Sequence, residues 1–206
     1  VIWCPEQKDY SHRHLLSQAE VWHVLDAMHT QEITPFLFTL DTAGHHAVYH
    51  GKLKSEAENR LAQLFEDERH LPLEPIAAMP KDVHVINLSG MGPAANISTI
   101  VNSVANEDGL VAYTGTAIQS QGLSWMDIHH SYGSKGNGIS TLREELGYED
   151  IIVFGDGDND LSMFAVADEA YATANADDEV KALATRVIGH HDEDGVAQFL
   201  RDRFNL

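Results

Sequence analysis

The chain has 206 residues, 43% hydrophobic and 22% charged, which allows one large domain or two small ones with an ample core. Its formal charge of −19 argues against nucleic acid or an anionic membrane as a partner. It does not argue against an anionic substrate, because one bound Mg²⁺ and one lysine can invert the field locally. The single cysteine, Cys4, excludes an internal disulfide and fits a reducing, cytoplasmic compartment. No apolar run approaches the ~18 residues of a membrane span, and no signal peptide is visible. The chain opens at Val1 without an initiator Met, which points to a processed or truncated product.

Residues 1–13 mix Trp3, Cys4, Pro5 and charged residues without a clear period and read as a lead-in. Ser17-Gln18-Ala19-Glu20 is a capping-box pattern, and Val21, Val24, Leu25 and Met28 follow at helical spacing. Thr34-Pro35 is expected to end that helix. Phe36 to Leu40 reads as a strand, Asp41-Thr42-Ala43-Gly44 as a turn, and Ala47-Val48-Tyr49 as the return strand of a hairpin. Ser55-Glu56-Ala57-Glu58 is a second capping box, leading a helix with Leu61, Leu64 and Phe65 on one face. A loop punctuated by Pro72, Pro75 and Pro80 leads to a strand from Val83 to Leu88, which Gly90 and Gly92-Pro93 are expected to break. A helix carrying Ile97, Ile100, Val101 and Val104 follows. Two strands, Leu110 to Thr114 and Leu123 to Ile128, then flank a polar, glycine-containing turn. Hairpins and short loops predict an antiparallel sheet with helices on one face, an α+β layer.

The pattern changes after His130. A helix from about Ser134 to Leu146 leads to a strand at Ile151, and a helix follows around Leu161 to Val166. A short strand at Tyr171, a helix with Val180 and Leu183, a strand at Val187-Ile188 and a final helix with Val196, Phe199 and Leu200 complete the chain. Strict alternation of helix and strand predicts a parallel α/β sheet, with the boundary between the two layers near residues 128–133.

The chemistry gathers at the carboxyl end of the Ile151 strand, where Gly155-Asp156-Gly157-Asp158-Asn159-Asp160 packs three carboxylates and an amide into one loop. Ligands of open parallel sheets bind outside the strand carboxyl ends. Carboxylates this dense repel one another unless a hard cation such as Mg²⁺ neutralises them. An EF-hand loop is ruled out, because its sixth and twelfth positions require Gly and Glu and hold Leu161 and Ala167 here. The plainer reading, an acidic turn capping a helix through Asn159 or Asp160, needs one carboxylate and not three. One helix earlier, Tyr132-Gly133-Ser134-Lys135-Gly136 sets a lysine between glycines at a helix start. There it can bring a positive charge to a phosphoryl oxygen, beside helix N-terminal amides.

Ser134-Lys135-Gly136, Gly155 to Asp160, Ala174-Asn175-Ala176, Glu179-Val180-Lys181 and Asp192-Glu193-Asp194-Gly195-Val196-Ala197 together resemble the C-terminal half of a Cof-type phosphatase. These enzymes belong to the haloacid-dehalogenase superfamily. The resemblance is specific over about residues 130–206, and residues 14–128 resemble more loosely the large cap of that subgroup. It implies that Lys135 contacts nucleophile and phosphate, that Asn159 holds the phosphate, and that Asp156 is a direct Mg²⁺ ligand. Asp160 would be a second metal-site carboxylate, direct or through water, Asp158 a solvated bystander, and Asn175 a structural residue closing the loop. Family members also carry, near the N-terminus, an Asp-x-Asp-Gly-Thr/Val motif with the nucleophile, and a later Ser/Thr motif. Neither motif is read in this chain. The nearest imitation, Phe38 to Ala43, has Thr39 where the nucleophile belongs, so Asp41 reads as a turn residue.

The expected fold is therefore α/β: a lead-in (1–13), an α+β cap (14–128) and part of a Rossmann-like core (129–206). In the family the missing segment carries the central strand of the parallel sheet. Without it the Ile151 strand would expose backbone groups and invite self-association or pairing with another chain. A proteolytic fragment, a sequence that omits its beginning, and a chain that pairs with a partner all fit, the first two together being favoured. The parent activity implied by the resemblance is Mg²⁺-dependent hydrolysis of a small phosphorylated metabolite, such as a sugar phosphate, through an aspartyl-phosphate, with this chain by itself inactive. A non-catalytic anion- or metal-binding module that works by assembly, or a phosphosugar mutase, are the alternatives. The thirteen histidines include adjacent pairs at 45/46, 129/130 and 190/191. Adjacent residues on a strand face opposite ways, so these pairs read as surface residues and not as metal ligands. A role for His129 and His130 in closing cap on core has no support in the sequence. Met91, Trp125 and Met126 read as core, with a substrate pocket as the other option.

Overall fold

In the computed structural model, which describes residues 1–5, 9–67, 70–117 and 122–206, the chain divides into two units, Val1–Ser131 and Tyr132–Leu206. The first contains β1 (Ile2–Cys4), β2 (Asp9–His12), α1 (Gln18–Thr30), β3 (Phe36–Leu40), β4 (His46–His50), α2 (Glu56–Asp67), β5 (Leu73–Pro75), β6 (His84–Pro93), α3 (Ala94–Val104), β7 (Leu110–Thr116) and β8 (Leu123–His130). Strands β1 and β2 pair antiparallel, so the lead-in is a small hairpin. Its return strand, Asp9-Tyr10-Ser11-His12, alternates only between exposed and half-exposed side chains, which leaves no apolar period to detect.

Both capping boxes form. Ser17 Oγ accepts from the Glu20 amide at 3.3 Å while the Ser17 amide donates to Glu20 Oε2 at 2.6 Å. Ser55 and Glu58 repeat the exchange at 3.2 and 2.9 Å. Each pair satisfies two donors that a bare helix start would leave open. The end of α1 differs from expectation: the helix stops at Thr30, ahead of Pro35. Glu32 takes the left-handed conformation (φ 57°), and the Ile33 amide returns to the Met28 carbonyl at 2.9 Å. Backbone bonds returning to the last turn close the helix before proline is reached.

Six strands form one sheet in the order β5-β4-β3-β6-β8-β7. All its pairs are antiparallel except β4 with β5. The expected break at Gly90 and Gly92 does not occur, since β6 runs through both. A Cβ on Gly90 would lie 2.8 Å from Ile33 Cγ2 and 2.9 Å from Met28 Cε, and one on Gly92 would lie 2.3 Å from Ile33 Cδ1. These glycines mark close approach to the end of α1 and not a turn. The helices are not confined to one face either. Leu37, Leu88, Met126 and Ile128 pack with Val24 and Met28 of α1 and Ile97, Ile100 and Val104 of α3. Phe36, Val48 and Phe38 pack with Ala62 and Phe65 of α2 in a separate cluster. Neighbouring strand residues point to opposite faces, so Phe36 and Leu37 carry the two clusters. The turn expected between β7 and β8 falls largely on residues 118–121, outside the described residues.

The pH dependence of stability follows from His46, whose Nε2 lies 2.6 Å from the Tyr10 hydroxyl. Burial holds its imidazole below the usual range, the amino terminus adds repulsion, and Asp41 opposes both. His14 shifts the same way, through burial first and then the neighbouring His130. Folding thus favours neutral rings, and below about pH 6.5 the unfolded chain binds protons that the folded one resists. Stability is fully present above that value and falls as the pH drops through it. Asp9 and Asp41 are held low chiefly by backbone amides of Tyr10 and His45, so their contribution is lost only below about pH 4. Urea unfolding of the chain should show a lower midpoint at pH 5.5 than at pH 7.5, and His46→Gln should flatten that slope. An unchanged slope would reject the assignment.

The second unit holds α4 (Lys135–Leu146), β9 (Ile152–Gly155), α5 (Leu161–Phe164), β10 (Glu169–Ala172), α6 (Asp178–Leu183), β11 (Arg186–Val187) and α7 (Gly195–Phe204). Its sheet, in the order β11-β10-β9, is parallel throughout. Val153, Ala170 and Ala172 pack with Met163, Phe164 and Val180 on one face. On the other, Phe154, Tyr171 and Phe199 form an aromatic cluster with Tyr171 and Phe199 centroids 4.2 Å apart. Burial on both faces explains why these strands lack polar alternation. No helix among the described residues is long and apolar enough to cross a membrane.

Candidate active site

Strand β9 delivers the acidic loop, and α4 delivers the lysine. Ser134 caps α4, its Oγ accepting from the Asn137 amide at 3.2 Å, which makes Lys135 the first helical residue. The next residue, Gly136, is buried against the start of α5. Its amide donates to Ser162 Oγ at 3.1 Å, and a Cβ there would stand 2.2 Å from the Ser162 carbonyl oxygen. That contact brings Lys135 to the loop. Its Nζ lies 2.5 Å from Asp160 Oδ1 and 3.2 Å from Asn159 Oδ1.

Asp160 is 3% exposed. Its Oδ2 accepts from the amides of Asp156 at 2.8 Å and Gly157 at 3.2 Å. One carboxylate thus ties together the two backbone amides after β9 and the ammonium of Lys135. Gly155 permits this fold-back, since a Cβ on it would lie 2.5 Å from the Asp160 Cβ. Asp156 by contrast is exposed. Its Oδ2 accepts from Asn175 Nδ2 at 2.9 Å, and the Asn175 Oδ1 accepts from the His191 amide at 3.3 Å. Asp158 is exposed.

The sequence-derived residues Lys135, Asn159 and Asp160 therefore stand in mutual contact, and Asp156 joins them through its backbone amide, which donates to Asp160 Oδ2. The donor set suits a hard dication. Asp156 offers an accessible carboxylate, while Asp160 has accepted three hydrogen bonds and keeps little free capacity. Two carboxylates do not make a closed cage, which matches the habit of Mg²⁺ of keeping several waters. Asp41 serves its turn, its Oδ1 accepting from the amides of Ala43 and His45 at 2.8 Å each. The string Asp192-Glu193-Asp194-Gly195-Val196 does fit the Asp-x-Asp-Gly-Val pattern by letter. It lies on a short turn before α7 and not at a strand end. Among the options for Met91, Trp125 and Met126, Met126 is wholly buried in the first unit's core. Met91 and Trp125 line a cleft of about 500 Å³ in that unit, with Phe38, Asn87 and Asp127.

The profile of the haloacid dehalogenase-like hydrolases matches residues 1–200. The chain belongs to that family. Among its relatives, the pyridoxal phosphate phosphatase YbhA of Escherichia coli is 42% identical over 82 residues, covering 37% of this chain and 30% of the relative. The chain thus spans about three-tenths of that curated relative. A haloacid dehalogenase-like hydrolase from Bacteroides thetaiotaomicron superposes with a TM-score of 0.72 at 20% identity, over 97% of this chain and 71% of the other. A sugar phosphatase of HAD subclass IIB gives 0.67 at 19% identity, over 91% and 67%. At such identities these two matches show the fold alone. This haloacid dehalogenase-like chain therefore pairs a mixed α/β fold with relatives named as phosphatases.

Proposed function

We propose that this chain supplies the phosphate- and metal-binding part of an enzyme that hydrolyses a small phosphate monoester, a sugar phosphate being one candidate, by way of an aspartyl-phosphate. The observation that carries the reading is the Lys135 ammonium held between Asp160 and Asn159 at the carboxyl end of β9, next to the exposed Asp156. Asp156 would hold Mg²⁺ directly, with Asp160, whose oxygens already accept three hydrogen bonds, behind it as the carboxylate that acts through water. Once bound, the ion supplies charge neutralisation at the phosphoryl oxygens. Lys135 adds a second positive charge to the same group, and the Asn159 carboxamide orients it by hydrogen bonding. Asp160 acts as a positioning residue, fixing Lys135 and the two amides that shape the loop. The −19 net charge disfavours nucleic acid and anionic membranes as partners, and the lone Cys4 favours the cytoplasm.

Turnover further requires a carboxylate nucleophile within reach of the phosphorus. Neither Asp41 nor Asp192 is presented at the end of a parallel strand, so the 206-residue chain assayed alone is expected to be inactive. An aryl phosphate assay with Mg²⁺ tests this. Turnover that disappears on Asp156→Ala would reveal a nucleophile within these residues and refute the expected inactivity. The sheet supports a second reading, assembly. Among the described residues β9 pairs only with β10, and an open strand edge is a template for another strand. Solution mass that reads as a defined oligomer would favour it, whereas a monomer at all concentrations would oppose it.

A further inference from the structure

His190, His191 and Asp192 are the group of three among the described residues whose ligand atoms all lie within 4.8 Å of one another. The expectation that adjacent histidines face apart fails here because the pair is not on a strand. His190 precedes a short 3₁₀ turn over His191–Glu193, and its carbonyl accepts from the amides of Glu193 and Gly195, each at 3.1 Å. That turn swings the two imidazoles together, with centroids 4.6 Å apart. Asp192 faces both rings, its Oδ1 3.4 Å from His191 Nδ1 and its Oδ2 3.8 Å from His190 Nδ1. The Asp192 amide donates to His190 Nδ1 at 3.2 Å, which marks that nitrogen as the one carrying a lone pair. The other two histidine pairs behave differently. His45 Nδ1 is engaged by Asp41 and His46 by Tyr10, while His129 Nδ1 bonds the His130 carbonyl.

We propose that His190, His191 and Asp192 form a site for a transition-metal dication, Zn²⁺ being the natural occupant, distinct from the Asp156 loop. Two imidazoles and a carboxylate are the borderline donors that select Zn²⁺, Co²⁺ or Ni²⁺ over Mg²⁺. Tetrahedral zinc bonds of about 2.0 Å bring ligand atoms to roughly 3.3 Å separation. Rotation of the exposed His191 and Asp192 side chains about the half-buried His190 would bring them there, with the metal taking the His190 lone pair in place of the Asp192 amide. Occupancy reaches the acidic loop through Asn175, which accepts from the His191 amide and donates to Asp156. Binding itself stands independently of the phosphatase reading.

The test is Co²⁺ titration of the whole chain in excess Mg²⁺, read by visible absorption, with Zn²⁺ added to displace it. The Asn175 side-chain amide is followed by NMR in a parallel Zn²⁺ titration. One equivalent should bind, Zn²⁺ should displace Co²⁺, and the Asn175 signal should move. His191→Ala removes a ligand while leaving the backbone contact to Asn175, so affinity should fall at least about tenfold with the fold unchanged. His190→Gln should weaken binding similarly. Retention of affinity in the His190→Gln/His191→Ala double variant, loss on Asp156→Ala instead, or an unmoved Asn175 signal would each overturn the proposal.

Discussion

Asp160→Ala is expected to cost about 2 kcal/mol of stability in the second unit, because half-buried donors left without an acceptor carry part of their desolvation penalty. Three donors converge on this side chain: the amides of Asp156 and Gly157 and the Lys135 ammonium. The ammonium is half exposed and recovers water, so most of the loss falls on the amides. Asp160→Asn can keep its one carboxamide oxygen for the two amides, which turns its NH₂ group to Lys135, so its cost should be roughly half. The reporter has to sit in the second unit. All three tryptophans, Trp3, Trp22 and Trp125, belong to the first, so hydrogen exchange of β9 and α5 amides is the measurement. Equal exchange in the wild type and Asp160→Ala would contradict the assigned role.

Gly136→Ala should have a comparable effect for a different reason. Its methyl would enter the space of the Ser162 carbonyl, a backbone atom that cannot rotate away. Overpacking of this kind costs about 1–3 kcal/mol, and the upper end applies where backbone must move. The start of α4 would then retreat from α5 and carry Lys135 away from Asp160. The NMR signals of the Asp156 and Gly157 amides should shift as Asp160 loses its ammonium partner. Gly138→Ala, on the same helix with nothing within 4 Å of the added Cβ, should be neutral or slightly stabilising and serves as control.

These two positions also show what the sequence could and could not convey. Local signals read correctly: Ser17/Glu20 and Ser55/Glu58 are exchanges within one turn, and the Phe36–Leu40 hairpin carries its own turn chemistry at Asp41 and Gly44. Glycines misled, because the reason for a glycine lies in a distant element. Gly90 and Gly92 look like breakers until Ile33 and Met28 are seen against them. The face of α2 was hidden because Phe36, Leu37 and Phe38 are all apolar, so no alternation reveals two buried faces. At the site, residue types and order indicated Lys135, Asn159 and Asp160. They did not reveal that Asp160 is spent on amides, nor that Asn175 joins Asp156 to His191. Those depend on how one loop folds back, which Gly155 permits without announcing.

The central claim is that Asp156, with Asp160 behind it, holds Mg²⁺ beside Lys135 and Asn159. It is tested most directly by titrating the isotopically labelled chain with Mg²⁺, then with inorganic phosphate, while following its amide signals. Mg²⁺ should move the signals of Gly155 to Asp160 and the Asn175 side chain, and phosphate should move Lys135 and Asn159 only once Mg²⁺ is present. Asp156→Ala should abolish both responses. A response to Mg²⁺ that survives in Asp156→Ala, or one centred elsewhere in the chain, would contradict the account.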